Sequence, residues 1–137
     1  SGFTIFPTLL HPKSRGWVGL RSANPHDSPR IQPNYFAHPD DLTTMLAGCR
    51  KAIEVLLAEP FSPYRVNGIH FPEKYDTDEA LTQHILAQTE TIYHPCGTCK
   101  MGNDEMSVVD KNLKVRGLQG LRVADASIMP TITSGNT

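Results

Sequence analysis

Several features that define large functional classes are scarce in this sequence of 137 residues. The 13 Lys and Arg residues nearly balance the 14 Asp and Glu residues, and the formal net charge is -1. A chain this close to neutrality lacks the basic surface typical of proteins that bind nucleic acid or anionic membranes. No apolar run approaches the roughly 20 residues that a membrane-spanning helix needs. The 3 cysteines are too few, and odd in number, for a disulfide scaffold.

Common cofactor and targeting motifs are also missing. The sequence contains no Gly-x-Gly-x-x-Gly turn and no Gly-Lys-Ser loop that would cradle a phosphate. The first residues lack the basic and apolar regions of a signal peptide. The chain opens in a strand-like run, Phe3–Phe6, and stops at Thr137 without a further helix or charged tail. We therefore expect it to be a piece of a longer protein. Its content of 39% hydrophobic residues is sufficient for a packed core of its own.

Proline and glycine, in contrast, are abundant, with 11 and 10 residues, and they predict many turns and short elements. Within residues 1–38 the best extended segment is Gly16–Ser22, although its two glycines weaken a strand. Asn24–Asp27 is typical of a turn.

Two helices are predicted in the middle of the chain. Apolar residues from Leu42 to Leu57 repeat at steps of three and four and form one helical stripe, and Pro60 is expected to end this helix. Asp40 and Asp41 are expected to favour its N-terminus by capping it and by complementing the helix dipole. Residues 60–75 are predicted to be an irregular connection. A second helix is expected from Asp76, which has capping-box spacing to Glu79, and it ends before Thr91. Its inner side would carry Leu81, Ile85 and either Ala87 or Gln88.

After Thr91 the helical period is lost. Short β-type runs occur at Val108–Val109, Leu113–Val115 and Leu121–Val123, separated by turn residues. Strands, two helices and then strands indicate an α+β fold rather than a regular βαβ alternation.

Few residues are candidates for catalysis or metal binding. Cys96 and Cys99 have the spacing of a redox or zinc pair, but they lack the helix N-terminus of a dithiol centre and the second ligand pair of a zinc site. Cys49 lies on the apolar face of a helix, so a core position is expected and no metal site is predicted. His94, fixed before Pro95 and near Gly97, could be a general base. On the residues alone, the favoured interpretation is a histidine that only bonds a neighbouring carbonyl. The other histidines are expected at the surface or in turns.

Several motifs follow one another along the chain. The longest is Tyr93-His94-Pro95-Cys96-Gly97-Thr98-Cys99-Lys100-Met101-Gly102. It is joined by Val108-Val109-Asp110, by Gly120–Ser127, by Met129-Pro130 and by Ser134-Gly135-Asn136-Thr137, and upstream by Pro12–Gly16, Leu20-Arg21-Ser22, Pro25 and Pro33-Asn34-Tyr35. Together these motifs resemble the signature of the glucose–methanol–choline (GMC) flavoprotein oxidoreductases, and the resemblance covers nearly the whole chain. Within that family, Lys100-Met101-Gly102 with Asp104–Asp110 resembles choline dehydrogenase-like members.

This resemblance implies a fold and a place in a larger enzyme. The fold would be that of the C-terminal region of the family, α+β, with a mostly antiparallel sheet and helices on one side. The N-terminal Rossmann part that binds the ADP half of FAD would be absent. Residues 1–116 would be the substrate-binding, catalytic domain, and residues 117–137 would begin the segment that returns to the FAD-binding domain. The partners implied are the remainder of the parent polypeptide and a small-molecule alcohol.

The resemblance also implies roles for four residues. His94 would lie near flavin N5 and exchange a proton with the substrate alcohol, and Asn136 would be the second catalytic residue. Asp125 and Ala126 would contact FAD, while the cysteine spacing would be incidental. The expected activity is hydride transfer from an alcohol CH–OH to the flavin, with this chain alone inactive and unable to hold FAD tightly. Two alternatives stay open: a non-catalytic binding domain and a flavin-containing lyase that cleaves hydroxynitriles.

Overall fold

The computed structural model describes residues 3–65 and 76–137, which form two compact units. The first unit consists of the described parts of Ser1–Leu9 and Phe36–Glu90, and the second of Leu10–Tyr35 and Thr91–Thr137. Of the predicted irregular connection, residues 66–75 lie outside the described residues, and Glu59–Tyr64 forms a short 3-10 helix.

The longest element is helix α1, Pro39–Leu57, as the apolar stripe predicts. Ala52, Ile53 and Leu56 of that stripe are buried. The acidic pair does lie in the first turn, where negative charge complements the helix dipole. The expectation that this pair caps the helix is wrong, because the cap is His38, whose Nδ1 accepts a hydrogen bond from the Asp40 N–H at 3.2 Å.

Helix α2, Asp78–Gln88, is also confirmed, but its cap differs from the predicted one. Thr77 occupies the cap position, and its Oγ1 accepts a hydrogen bond from the Ala80 N–H at 3.2 Å. A hydroxyl in this position satisfies a backbone donor that has no partner inside the helix, so Asp76 is not needed. Leu81 and Ile85 are buried as expected. Ala87 and Gln88 are exposed, contrary to the prediction, because the last turn extends past the buried cluster.

The core of the first unit lies between these two helices. Ile53 of α1 packs with Leu81 and Ile85 of α2. Partly buried side chains surround this cluster: Phe36, Leu42, Met45, Leu46 and Cys49. Cys49 is therefore a core residue, as predicted, and burial raises the pKa of its thiol.

The second unit contains the only regular sheet among the described residues, an antiparallel pair of strands β1, Trp17–Gly19, and β2, Arg30–Gln32. Val18 lies opposite Ile31. Strand β1 falls inside the predicted extended segment, and the predicted turn closes with the Asp27 N–H donating to the Asn24 carbonyl at 3.1 Å.

A strand at Phe3–Phe6 was expected in the other unit, and this prediction is wrong. These residues have no regular secondary structure and pair with no strand among the described residues. Instead, the Phe3 ring stacks on the Phe61 ring with centroids 4.9 Å apart. The residue types of this run favoured backbone pairing in a sheet, but the contact that the structure shows is this stacking of two aromatic side chains.

The β-type runs after Thr91 form isolated bridges rather than strands. Val109 pairs with Met101 in parallel and with Val115 in antiparallel orientation, and Lys114 pairs with Arg122. Val109 is fully buried at the centre of these pairings. The α+β class is confirmed, although the described antiparallel sheet is limited to two strands.

The contact between the helices predicts a clear difference between two leucines of α2. Leu81 is 1% exposed whereas Leu86 is 51% exposed. Leu81→Ala should lower the free energy of unfolding by about 2–5 kcal/mol, because it leaves a cavity in the core. Leu86→Ala is the matched control and should change it by less than about 0.5 kcal/mol. Denaturant unfolding measures both, and equal effects would contradict the described core.

Candidate active site

His94 follows a sharp change in the direction of the backbone. Tyr93 has a φ of 66°, in the left-handed region that few residues other than glycine adopt. The Tyr93 N–H donates to Thr91 Oγ1 at 3.0 Å, which holds this turn. The next residue, Pro95, restricts His94 to extended backbone conformations. The residues before and after His94 therefore both restrict its backbone, which fixes the direction of the half-buried imidazole.

The imidazole contacts the far end of the chain. His94 Nδ1 lies 3.2 Å from both Oγ1 and the backbone nitrogen of Thr137, a residue 43 positions away. Asn136 immediately precedes this residue and is exposed. The structure therefore brings the segment that carries Asn136 to the His94 ring.

Gly97 allows the motif to pass close to a neighbouring backbone. It has a φ of 89°, and a Cβ at this position would lie 3.3 Å from the Met129 carbonyl oxygen. Its own carbonyl accepts a hydrogen bond from the Lys100 N–H at 3.2 Å, which closes a turn. Both the conformation and the close approach favour glycine over any residue with a side chain.

Backbone hydrogen bonds then join this motif to the segment predicted to contact FAD. The Cys99 N–H donates to the Ser127 carbonyl at 2.9 Å, and the Met101 N–H donates to the Ile128 carbonyl at 2.7 Å. Residues 99–101 and 127–128 are therefore held side by side independently of their side chains.

Asp125 organises the start of that second segment. It caps the 3-10 helix Ala126–Ile128, and its Oδ1 accepts a hydrogen bond from the Ser127 N–H at 2.8 Å. Hydrogen bonds from the hydroxyl and the N–H of Ser127 lower the pKa of the Asp125 carboxyl. Asp125 is exposed and Ala126 half-buried, so an ionised carboxylate lies at the surface beside a small side chain.

The loop after the motif is held by a second carboxylate. Asp104 accepts hydrogen bonds from the Lys100 ammonium at 2.8 and 3.0 Å and from the Ser107 hydroxyl at 2.8 Å. These contacts, the one from Lys100 above all, lower the pKa of Asp104 to about 2. The loop thus connects the motif to Val109, the buried centre of the bridges.

The cysteines of the motif, Cys96 and Cys99, are half-buried free thiols. In the described part of the chain, no three His, Cys, Asp or Glu side chains are grouped in a way that could hold a metal ion.

Two residues of the site were not found from the sequence. Thr137 was quoted only as part of a motif, and His11 was expected to be a plain surface residue. His11 is exposed, but its Nε2 also lies 3.0 Å from Ser134 Oγ in the same terminal segment. No periodicity or spacing points to contacts between residues so far apart in the chain.

Comparison with known sequences identifies the class of protein. The sequence model described as GMC oxidoreductase, for the C-terminal region of that family, matches residues 12–137. The chain therefore belongs to the GMC oxidoreductase family, as the motifs indicated.

Individual relatives agree. The chain is 46% identical over 136 residues to an alcohol dehydrogenase [acceptor] of Pseudomonas putida, covering 99% of this chain and 25% of the relative. It is 44% identical over 137 residues to an oxygen-dependent choline dehydrogenase of Brucella ovis, covering 98% and 25%. A formate oxidase variant from Aspergillus oryzae RIB40, solved to study FAD modification, matches with a TM-score of 0.86 at 34% identity, covering 93% of this chain and 23% of that one. The chain thus spans about a quarter of the length of these relatives.

No helix in the described ranges has the length and apolar character needed to cross a bilayer.

The close approach at Gly97 generates a prediction about stability. Gly97→Ala should lower the free energy of unfolding by about 1–2 kcal/mol, because an L-residue is strained at this positive φ. Gly135→Ala is the control, since a Cβ there meets nothing within 4 Å. Thermal unfolding of both variants tests this, and a Gly97→Ala variant as stable as the control would contradict the described turn.

The Asp104 contacts predict an acid-sensitive loop. The folded-state pKa of about 2 lies below the ordinary value of 3.8, so between these pH values the folded protein binds fewer protons than the unfolded chain. The stabilisation by Asp104 is therefore complete above this window and is lost as the pH falls through it. Carbon NMR titration of the carboxyl measures the midpoint directly. A midpoint at the ordinary value would show that the Lys100 and Ser107 contacts do not form in solution.

Proposed function

We propose that this chain is the substrate-binding, catalytic C-terminal part of an FAD-dependent alcohol dehydrogenase or oxidase. The observation that supports this most directly is the contact of His94 Nδ1 with Thr137 at 3.2 Å. It brings the two motifs with the proposed catalytic residues, His94 and Asn136, to one place.

The two side chains suit the proton chemistry of alcohol oxidation. A hydride leaves the carbinol carbon more readily as the hydroxyl proton is removed, and an imidazole that is neutral near physiological pH can take that proton. His94 has this role in the proposal. The Asn136 amide donates a hydrogen bond to the oxygen that becomes negative, and it does not compete for the proton.

The residues proposed to contact FAD fit that cofactor. The exposed Asp125 carboxylate, whose pKa the Ser127 hydrogen bonds lower further, is negatively charged at neutral pH. It suits the sugar-alcohol hydroxyls of FAD, which donate hydrogen bonds, and not its phosphates. Ala126 adds little bulk beside it. When bound, FAD accepts the hydride. The segment with Asp125 is joined by backbone hydrogen bonds to the motif that follows His94, so cofactor and substrate groups would share one framework.

The substrate class is a small-molecule alcohol, and choline is one candidate because one relative is an oxygen-dependent choline dehydrogenase. The partner is the remainder of a longer polypeptide, since the chain spans about a quarter of its relatives. We propose that residues 1–116 serve the substrate side and that residues 117–137 begin the return to the FAD-binding part.

Anaerobic mixing of the flavin-loaded, full-length protein that contains this chain with alcohols tests this function. Primary, aromatic and quaternary-ammonium alcohols form a suitable panel, and at least one should bleach the flavin absorption band. Cleavage of a hydroxynitrile without bleaching would indicate a lyase. A full-length protein that binds no flavin would indicate a non-catalytic domain, and either result would overturn the proposal.

Replacing the proposed base gives the sharpest mutational test. His94→Ala should lower turnover by about a hundredfold or more, the usual loss for a general acid or base. His26→Ala is the control, because His26 lies in an exposed turn of the same unit. Its turnover should equal that of the parent protein. Unchanged turnover in His94→Ala would refute the assignment.

A further inference from the structure

The two contacts of His94 Nδ1 come from atoms with different hydrogen-bonding abilities. The backbone N–H of Thr137 can only donate, and its nitrogen lies 3.2 Å from Nδ1. Nδ1 therefore presents its lone pair to this N–H and carries no proton in this arrangement. A neutral imidazole has one proton, so that proton is on Nε2.

This tautomer has a direct consequence for the chemistry. A ring with a proton on Nε2 donates a hydrogen bond from that nitrogen and cannot accept a proton there. In the proposed function Nε2 would face the alcohol, so that at rest His94 would hold the alcohol oxygen as a hydrogen-bond donor. Before Nε2 can take the hydroxyl proton, its own proton has to leave to solvent and Nδ1 has to receive one from solvent.

The Thr137 hydroxyl is suited to this second state. Once Nδ1 carries a proton, it and the backbone N–H are both donors and cannot bond each other. Thr137 Oγ1, also 3.2 Å from Nδ1, can accept the Nδ1 proton after its own hydrogen rotates away. One residue thus provides a partner for each protonation state of the same nitrogen.

We infer that Thr137 is a positioning residue that selects the Nε2–H tautomer of His94 at rest and, through its hydroxyl, stabilises the ring when Nδ1 is protonated. This inference rests on the proposed function for its kinetic consequence, although the tautomer itself does not. The proton count balances: solvent takes the Nε2 proton and supplies the Nδ1 proton. The alcohol proton then joins Nε2 to give an imidazolium, with Nδ1–H bonded to Oγ1.

Nitrogen NMR of the histidine-labelled, flavin-loaded protein tests the tautomer, because protonated and unprotonated ring nitrogens have well-separated resonances. The His94 signals are assigned by their loss in His94→Gln. We expect Nδ1 to be the unprotonated nitrogen of the neutral ring in the parent protein. It should stay so in Thr137→Val, which keeps the backbone N–H. A proton on Nδ1 of the parent protein would overturn the inference.

Kinetics of two variants test the hydroxyl. Thr137→Val keeps the side-chain shape but removes the acceptor, and it should lower kcat about tenfold or more, the usual effect of losing a hydrogen bond to a charged group, with a smaller change in KM. Thr137→Ser keeps the hydroxyl and should recover kcat to within about threefold of the parent value. Thr131→Val, at an exposed position in the same segment, is the matched control and should match the parent protein.

These outcomes separate the inference from the proposed function. An unchanged kcat in Thr137→Val, or a Thr137→Ser variant as slow as Thr137→Val, would overturn the role of the hydroxyl. If no alcohol reduces the flavin, the proposed function fails, while the nitrogen resonances still report which ring nitrogen of His94 carries the proton.

Discussion

Two backbone hydrogen bonds, from the Cys99 and Met101 N–H groups to the Ser127 and Ile128 carbonyls, hold together the segments on which the candidate site depends. The second unit has little regular structure to do this, because its one described sheet consists of two three-residue strands. Isolated bridges centred on the buried Val109 anchor the loop that continues from this motif. The position of the site thus depends on backbone geometry more than on a large apolar core.

Much of the helical unit could be predicted from the sequence, because a stripe of apolar residues with a period near 3.6 specifies both a helix and its buried face. The caps could not, since Asp, Thr and His side chains near a helix start are all able to accept the free N–H groups. Only the local backbone decides that His38 and Thr77 do so. The β-type runs near Val109 have residue types that favour strands. Their pairing depends on partners elsewhere in the sequence, and in the structure they form isolated bridges instead of strands.

The candidate site, like the fold, could be predicted from the sequence only in part. The residue types around His94 did not decide whether it is a general base or an ordinary hydrogen-bonding histidine. Only the resemblance, which spans several motifs, favoured the general base. Membership of the family is confirmed by the match over residues 12–137. The roles of His94, Asn136, Asp125 and Ala126 stay predictions. The Thr137 contact could not be foreseen, because 43 residues separate its partners and neither composition nor period encodes such a pairing.

Because the framework is made by backbone groups, the proposed catalytic side chains are free to act without also supporting the fold. His94 is half-buried and Asn136 exposed, so replacing either removes little packing and leaves the hydrogen bonds at Cys99 and Met101 in place. Asp125 differs, since its carboxylate also caps the 3-10 helix that carries the Ser127 and Ile128 carbonyls. A loss of activity at Asn136 therefore reports on the proposed chemistry, whereas a loss at His94 also includes the contacts with Thr137. A loss at Asp125 would combine the proposed cofactor contact with the geometry of the site itself.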